Sequence, residues 1–227
     1  MGIFEKTYRY FVPKRIKNEI GWLTILAFRR DEKTFQNTIP YYDLSEKHIA
    51  NLQVLTNRDA LLGKMPKNSV VAEVGVDNGV FSTKILSACH PAKLHLIDYW
   101  GDEKYNLDKM RMVANNFQKE IDSRMVVIHK GLSVDELNKF SDKYFDWVYI
   151  DTDHTYLTTK MELEVCSRKV KEGGLIAGHD YVTRDYTNNT RYGVVEAVNE
   201  FCWKNDWELV YLTHETNRHL SFAVRKL

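Results

Sequence analysis

Short apolar runs alternate with amphipathic segments along the chain from Ser69 onward. Five of these runs have the length of a buried strand: Val70–Val74, Leu94–Ile97, Met125–Ile128, Trp147–Ile150 and Leu175–Ala177. The segments between them carry apolar residues at helical spacing: Phe81, Ile85, Leu86, then Met110, Val113, Phe117, Ile121, then Leu157, Met161, Val165. Buried parallel strands that are joined by crossover helices produce this alternation. The pattern therefore predicts an α/β fold around a mostly parallel sheet.

The C-terminal part of the chain predicts a different end to this sheet. A further helix after Tyr192 is followed by two strand-like runs, Glu208–Thr213 and His219–Arg225, with the turn-like Glu215-Thr216-Asn217 between them. Two runs that are joined by such a short turn are typical of an antiparallel hairpin. We therefore predict a seven-stranded sheet that ends in an antiparallel hairpin.

The first 65 residues have a helical pattern instead. One face of a first predicted helix carries Ile16, Ile20, Leu23 and Ala27. One face of a second predicted helix carries Ile49, Leu52, Leu55 and Leu62. Asp43 followed by Glu46 predicts where this second helix starts, and Gly63 with Pro66 predicts where it ends. We predict an N-terminal helical extension over residues 1–65 and one α/β domain over residues 66–227.

Composition and charge exclude several kinds of protein. The chain has 32 Lys and Arg against 31 Asp and Glu, so we expect no phosphate-tracking face and no nucleic-acid partner. Its cysteines (Cys89, Cys166, Cys202) form no Cys-x-x-Cys pair, which argues against a disulfide framework or a zinc site. The apolar stretch Trp22–Phe28 is far shorter than the roughly 20 residues that span a bilayer. We expect a cytoplasmic protein without a transmembrane segment.

The charge is nevertheless uneven along the chain, because basic residues outnumber acidic ones before residue 34. We expect this basic N-terminal helix to cover the sheet or the mouth of a site. The alternative is that it docks a partner subunit, a glycosyltransferase or a membrane surface. A homo-oligomer stays open.

A glycine turn follows the first strand of the α/β region. The strand leads through Glu73-Val74-Gly75-Val76-Asp77-Asn78-Gly79 into a predicted helix that starts at Val80. The spacing is Gly-x-x-x-Gly, not the Gly-x-Gly-x-x-Gly that binds a pyrophosphate at a helix N-terminus. The acids of this turn would repel a pyrophosphate but attract a ligand that carries an ammonium and a sulfonium. We predict cofactor contacts for Glu73, Gly75, Asp77 and Gly79.

The next two strand ends extend the predicted cofactor site. Asp98 ends the second strand, where an acid can accept hydrogen bonds from both ribose hydroxyls; the alternative is a solvated Asp that caps a turn. Tyr99 and Trp100 would line the ribose or adenine, or else belong to the core. Ser133 follows the third strand and would reach the adenine edge. It would otherwise cap a helix that starts near Val134, with Glu136 as its capping-box partner.

Several motifs together resemble the class I S-adenosylmethionine-dependent methyltransferase superfamily. They are Glu73-Val74-Gly75 with Gly79, Leu96-Ile97-Asp98, Tyr149-Ile150-Asp151-x-Asp153-His154-x-Tyr156, Gly173-Gly174 and Gly178-His179-Asp180-Tyr181. Within the superfamily they are similar to the branch of macrocin-type and other sugar O-methyltransferases and cephalosporin-hydroxylase-like proteins. The resemblance runs from about Ser69 to Phe201. It implies a Rossmann-like methyltransferase fold, S-adenosyl-L-methionine as cofactor, and methyl transfer.

The fourth and fifth strand ends gather further polar residues on one rim. Asp151, Asp153 and His154 follow one strand, and His179 and Asp180 follow the next. Strand carboxyl ends line the ligand crevice of open α/β sheets, so we expect an acceptor site here, with a cofactor contact from Asp151 as well. Solvated loop residues are the alternative.

The rim residues suit two ways of activating a hydroxyl. Asp151 and Asp180 are oxygen ligands suited to Mg²⁺ or Mn²⁺, and two neighbouring carboxylates repel each other unless a cation lies between them. Related metal-dependent members have a second acid where this chain has His179, which would be a ligand for a softer metal or a general base instead. Asp153 and His154 are the competing bases.

We therefore expect an enzyme that O-methylates a sugar, a glycan or a small natural-product hydroxyl. The polar segment from Tyr181 to Tyr192 would cover the acceptor as a lid; its polar residues include Thr183, Arg184, Asn188, Asn189 and Arg191. Small-molecule N-methylation is the alternative among enzymes. A catalytically inactive binding protein with a methyltransferase fold is the alternative among other classes, although charged residues gathered at one rim argue against it.

Overall fold

A computed structural model describes residues 13–185, 190–215 and 219–227. The chain divides into two compact units, one that ends at Tyr41 and one that begins at Tyr42. The first unit contains helix α1 (Lys14–Thr38), which leaves apolar side chains exposed, among them Trp22 and Leu23. In the described ranges, no helix has the length and apolar character needed to cross a membrane.

The second unit contains the strands and the remaining helices of the described chain. The strands are β1 (Gln53–Leu55), β2 (Val70–Val74), β3 (Lys93–Asp98), β4 (Val126–Lys130), β5 (Phe145–Ile150), β6 (Val170–Gly178), β7 (Arg184–Asp185), β8 (Thr190–Arg191), β9 (Trp207–Thr213) and β10 (Phe222–Lys226). The helices are α2 (Glu46–Ile49), α3 (Arg58–Leu62), α4 (Val80–Cys89), α5 (Leu107–Asn116), α6 (Gln118–Asp122), α7 (Ser133–Asn138), α8 (Tyr156–Lys169) and α9 (Val194–Asn205).

The central sheet confirms the predicted fold class and adds one strand to it. Its eight strands have the order β1-β9-β10-β6-β5-β2-β3-β4, and β10 is the strand that runs antiparallel to both of its neighbours. The middle strands are apolar on both faces, as expected for a parallel sheet covered by helices, and Val71, Trp147 and Tyr149 are completely buried. The carboxyl ends of β2, β3, β4, β5 and β6 therefore lie along one edge.

The predicted second helix is wrong. The segment instead forms α2, β1 and α3, and β1 adds a parallel edge strand to β9, where Val54 pairs with Leu212. Asn57 interrupts helical geometry and caps α3, since its side chain accepts a hydrogen bond from Ala60 N at 2.8 Å. Residues 42–65 thus lie in the sheet unit rather than in a helical extension. Apolar residues at helical spacing could not distinguish one continuous helix from α2, β1 and α3, because each of these elements spans only a few residues.

The polar segment after β6 contains a small antiparallel ribbon, in which Arg184 pairs with Arg191 and Asp185 with Thr190. Residues 186–189, which include Asn188 and Asn189, lie outside the described residues, as do 216–218 in the predicted terminal turn.

A buried histidine pair lies between β3 and β4. His95 is 4% exposed, and its Nδ1 lies 2.9 Å from Nε2 of His129, while its Nε2 lies 3.2 Å from the hydroxyl of Tyr144. Phe140 and Phe145 pack around the same ring. Burial lowers the pKa of His95 to about 4, so the folded protein holds this side chain neutral.

This pair predicts a specific acid sensitivity. An unfolded histidine has a pKa of about 6.5, so the unfolded chain takes up a proton before folded His95 does, and stability falls as the pH drops from about 6.5 towards 4. Between pH 7.5 and pH 4.5 the wild type should lose about 2 kcal/mol more free energy of unfolding than His95→Phe. Urea unfolding at the two pH values measures this difference; equal losses would contradict it.

Gly75 is the point of closest approach between the turn after β2 and the end of β5. Its φ is +89°, and a Cβ at this position would lie 1.9 Å from the carbonyl oxygen of Asp151. Gly173 also has a positive φ, +74°, but its Cβ would meet no heavy atom within 4 Å. Comparing alanine substitutions at the two glycines therefore separates the cost of a steric clash from the cost of backbone strain.

We expect Gly75→Ala to destabilise the protein by at least about 2 kcal/mol more than Gly173→Ala, because the backbone atoms that follow β5 cannot shift without straining the end of the strand. Chemical denaturation of the two variants measures the difference. Similar free energies of unfolding for both would show that the contact between the strand ends is loose.

Candidate functional site

A cavity of about 840 Å³ opens along the carboxyl ends of β2 to β5. Many predicted site residues line it: Glu73, Gly75, Asp77, Asp98, Tyr99, Ser133, Asp151, Asp153 and His154. Its volume lies within the range of about 300–1,000 Å³ that is usual for small-ligand sites. Gly79, His179 and Asp180 are predicted site residues that do not belong to this lining.

Gly79 has a structural reason to be glycine. It precedes α4 with a φ of +79°, and a Cβ here would lie 3.0 Å from the ring of Phe117. The turn thus needs glycine at this position for its own geometry, whatever the cavity binds.

The Asp98 carboxylate ties the glycine turn to β3. Oδ2 accepts hydrogen bonds from the backbone N–H groups of Val76 at 2.7 Å and Asp77 at 2.8 Å, and Oδ1 accepts one from Trp100 N at 3.2 Å. A carboxylate has about four acceptor positions, so one remains for a ligand hydroxyl. Of the two neighbouring aromatic residues, Trp100 is completely buried, whereas Tyr99 is 47% exposed and lines the cavity.

The two acids of the turn differ in their surroundings. Glu73 is 1% exposed and accepts a hydrogen bond from the Ser82 hydroxyl at 2.5 Å; burial raises its pKa to about 8. Asp77 is half exposed and pairs with Lys109. A bound cation would therefore favour the ionised form of Glu73 more strongly than that of Asp77, because Glu73 is held out of water.

Ser133 does not cap α7. The cap position is Leu132, and Glu136 accepts a hydrogen bond from Lys139 at 2.6 Å instead of closing a capping box. The Ser133 hydroxyl lies beside the buried Glu162, whose pKa burial raises to about 7 although this hydroxyl and Thr152 counteract the effect. The side chain of Ser133 is therefore placed between the cavity and a buried acid.

Three imidazoles surround the carboxylate of Asp180. His154 Nε2 lies 3.2 Å from Oδ2, His179 Nδ1 lies 3.3 Å from Oδ1, and His219 contacts the same Oδ1. Burial alone would raise the pKa of Asp180, but the three histidines hold it well below its ordinary value. Asp180 is therefore an anion that only accepts hydrogen bonds.

Sequence reasoning missed His219. It precedes β10, and the chain next to it is held against the end of β6 by a hydrogen bond from Tyr181 N to Leu220 O at 2.9 Å. Only the antiparallel pairing of β10 with β6 brings His219 to Asp180, and no motif around His219 indicates that pairing.

Sequence reasoning also missed Arg58, in the segment predicted to be helical. Its Nη2 lies 2.7 Å from Asp151 Oδ2, and its guanidinium carbon lies 3.5 Å from the centre of the Phe81 ring and 4.7 Å from that of Tyr149. Burial disfavours the charged form, but Tyr149 and Asp151 hold the pKa of Arg58 above its ordinary value. Asp151 thus has its own cation.

Asp151 and Asp180 do not need a cation between them, contrary to the expectation from the sequence, because Arg58 neutralises Asp151 and three histidines surround Asp180. A possible metal site still exists in geometric terms. One donor atom from each of Asp151, His154 and Asp180 lies within 4.8 Å of the others. His179 Nδ1 is 3.9 Å from Asp151, outside hydrogen-bond range.

The two competing bases differ in what they are free to do. Asp153 accepts hydrogen bonds from Thr155 N at 2.9 Å and Thr158 Oγ1 at 2.8 Å, so both of its oxygens serve the start of α8. His154 uses Nε2 towards Asp180 and lies against the Tyr192 ring, 4.8 Å between centres. Its Nδ1 has no hydrogen-bond partner in the part of the chain that the structure describes. His154 is the better placed base.

Comparison with solved structures shows the fold. An O-methyltransferase from Bacillus cereus, in complex with S-adenosylhomocysteine, matches with a TM-score of 0.55 at 14% identity, over 98% of this chain and 96% of that one. A tRNA methyltransferase from B. subtilis, TrmK, matches with a TM-score of 0.55 at 11% identity, over 76% of this chain and 67% of that one. The pyocyanin biosynthetic protein PhzM matches with a TM-score of 0.53 at 12% identity, over 71% of this chain, which spans about half (51%) of that protein.

Comparison of sequences adds the family. No curated protein matches the chain. A methyltransferase-domain family model matches residues 72–181, the stretch that contains the glycine turn, Asp98 and the rim as far as Tyr181. Residues 72–181 are thus similar to a methyltransferase domain, and this match together with the fold supports methyltransferase activity.

Proposed function

We propose that this enzyme methylates a hydroxyl of a sugar, a glycan or another small natural product, with His154 as general base. The observation that carries the proposal is the His154–Asp180 pair, 3.2 Å apart, whose imidazole lines the cofactor cavity. A hydroxyl is a poor nucleophile until a base removes its proton, whereas a neutral amine needs no base. A positioned imidazole therefore favours O-methylation over N-methylation.

The cavity residues fit S-adenosylmethionine. Asp98 has one acceptor position for a ribose hydroxyl, and Tyr99 and Ser133 line the same cavity. Glu73 is a buried acid suited to the ligand's positive charge. When bound, S-adenosylmethionine supplies an activated methyl group, so the chain has to position the acceptor, exclude water and accept one proton.

The rim supports this proton transfer. Nε2 of His154 faces the buried Asp180 carboxylate at 3.2 Å, so in the tautomer with its proton on Nε2 the Nδ1 lone pair would be available to the acceptor hydroxyl. The bond from the acceptor oxygen to the methyl carbon would form as the methyl–sulfur bond of the sulfonium breaks and leaves a thioether, and the hydroxyl proton would pass to Nδ1 of His154. Asp180 then stabilises the imidazolium, as a buried carboxylate does behind other catalytic histidines.

A divalent ion is the second candidate for hydroxyl activation. The Asp151, His154 and Asp180 donors could hold Mg²⁺ or Mn²⁺, and a bound metal lowers the pKa of an oxygen ligand. Asp151 would then share its carboxylate between the metal and Arg58, which contacts Oδ2. The two candidates exclude each other for the dominant mechanism. A neutral imidazole has one lone pair, so His154 cannot both coordinate a metal and accept the acceptor's proton.

Binding of the cofactor product tests the role of Asp98. Asp98→Ala should weaken binding of S-adenosylhomocysteine by about 2–3 kcal/mol, roughly 30- to 150-fold, because it removes the ribose acceptor and the tie on the glycine turn. Calorimetry measures this affinity, with the exposed Asp108→Ala as a matched control that should bind normally. Wild-type protein that does not bind S-adenosylhomocysteine would overturn the cofactor assignment.

Methyl-transfer rates test the role of His154 as the base. His154→Gln should lower the turnover of labelled methyl transfer by about 10²- to 10⁴-fold, while S-adenosylhomocysteine affinity changes less than about two-fold, well under 1 kcal/mol. Transfer to a panel of sugars, glycans, phenols and amines, read by mass spectrometry, identifies the acceptor and the rate. His90→Gln, at the exposed C-terminal end of α4 and outside the cavity lining, is the control with unchanged turnover.

The same assay in EDTA separates the two candidates. With His154 as base, chelation leaves turnover unchanged. Activity that vanishes in EDTA and returns with Mg²⁺ or Mn²⁺ would instead establish the metal and remove the base role.

A further inference from the structure

Arg58 is a cation inside a cavity that is otherwise rich in carboxylates. Its side chain is 19% exposed, and it lines the cavity together with Glu73, Asp98 and Asp151. The other cation of the lining, Lys104, lies on an exposed turn against the Tyr105 ring. Arg58 is therefore the cation that faces the buried end of the cavity, beside the glycine turn.

The guanidinium is held in place but not fully hydrogen-bonded. Its planar face packs on Phe81, 3.5 Å from the ring centre, and Nη2 donates to Asp151 at 2.7 Å. Its Nε is buried and has no hydrogen-bond partner among the described residues. A buried N–H without an acceptor is unfavourable, so an anion that enters the cavity and accepts from Nε would be favoured.

The surroundings limit what this anion can be. Asp151 pairs with Arg58, and Glu73 lies close enough to interact with the same guanidinium, although burial raises the pKa of Glu73 to about 8. An isolated anion such as phosphate would be repelled by Asp151. A zwitterion would not be, because its carboxylate can meet the guanidinium while its ammonium meets the carboxylates. An α-amino acid group has both charges on one carbon, a spacing that this mixed charge pattern matches.

We propose that Arg58 binds the α-carboxylate of S-adenosylmethionine, with Glu73 and Asp151 receiving its ammonium. This inference rests on the cofactor in the proposed function and adds the residue that recognises its amino-acid end. The charge-assisted hydrogen bond from Nε is stronger than one between neutral groups. Because Arg58 begins α3, outside the residues 72–181 that match the family model, this contact comes from the segment that precedes the matched domain.

The proposal is tested with ligands that differ only in the carboxylate. S-adenosylhomocysteine has the carboxylate and the ammonium, and its decarboxylated analogue keeps the nucleoside, the sulfur and the ammonium. Wild-type protein should bind the first at least ten-fold more tightly in calorimetry. In Arg58→Met, which keeps an apolar stem against Phe81 but no charge, this preference should disappear, with S-adenosylhomocysteine at least ten-fold weaker and the analogue within three-fold of wild type.

Arg225→Met is the matched control, because Arg225 pairs with Glu208 at 2.6 Å between β9 and β10, away from the cavity lining. It should retain the wild-type preference, and Arg58→Lys should retain part of it.

Each other outcome has a separate meaning. Wild-type protein that binds neither ligand would overturn the cofactor assignment, and the role of Arg58 with it. Wild-type protein that binds both ligands equally would overturn the role of Arg58 alone, and this result does not depend on whether any variant folds. An Arg58→Met protein with a normal melting temperature and an unchanged preference would also overturn it.

Discussion

The contact between Gly75 and the end of β5 is the constraint on which the site depends. The turn after β2 passes so close to the Asp151 carbonyl that a single Cβ would not fit. Asp151 N also donates to Val74 O at 2.7 Å, which continues the parallel pairing of β2 and β5 to the rim. This contact sets the distance between the glycine turn and Asp151, which line the same cavity. A rigid spacing is what methyl transfer requires, because donor and acceptor atoms must be held in line.

Charge balance organises the same region into two groups. In the first, Arg58 neutralises Asp151 beside the buried Glu73. In the second, His154, His179 and His219 surround Asp180 and keep it ionised. Buried carboxylates are costly unless they are paired, so each group is stable without help from the other. The pairing leaves Arg58 Nε, among the described residues, as a buried N–H in the cavity lining without a hydrogen-bond partner.

The fold alone does not determine which acceptor is used. The structures that resemble this chain include an O-methyltransferase and a tRNA methyltransferase, at similar TM-scores. In proteins that share a fold, the residues at the site determine the activity. Here the rim is rich in histidine, and Tyr192 and Thr190 of the short ribbon after β6 line the cavity beside it. This composition is the basis on which we propose a hydroxyl acceptor that must lose a proton.

The sequence by itself determined the parallel sheet, the antiparallel end, the glycine turn and the acids at the strand ends. Each of these is encoded locally: alternating apolar runs predict strands and crossovers, and residues directly after a strand in a parallel sheet must lie at its carboxyl edge. The positions of Asp98, Asp151, His154 and Asp180 could be predicted for this reason.

Only the tertiary structure decided how these groups are partnered. Arg58 meets Asp151 across 93 residues of chain, and His219 meets Asp180 across 39. Neither contact leaves a pattern in the sequence, since it depends on β1 and β10 pairing at sheet positions that no short motif specifies. The same holds for Trp100, which is completely buried in the hydrophobic core and donates from its indole N–H to the Asp77 carbonyl at 3.0 Å. Local periodicity reports which way a side chain faces, whereas long-range packing decides which charges meet.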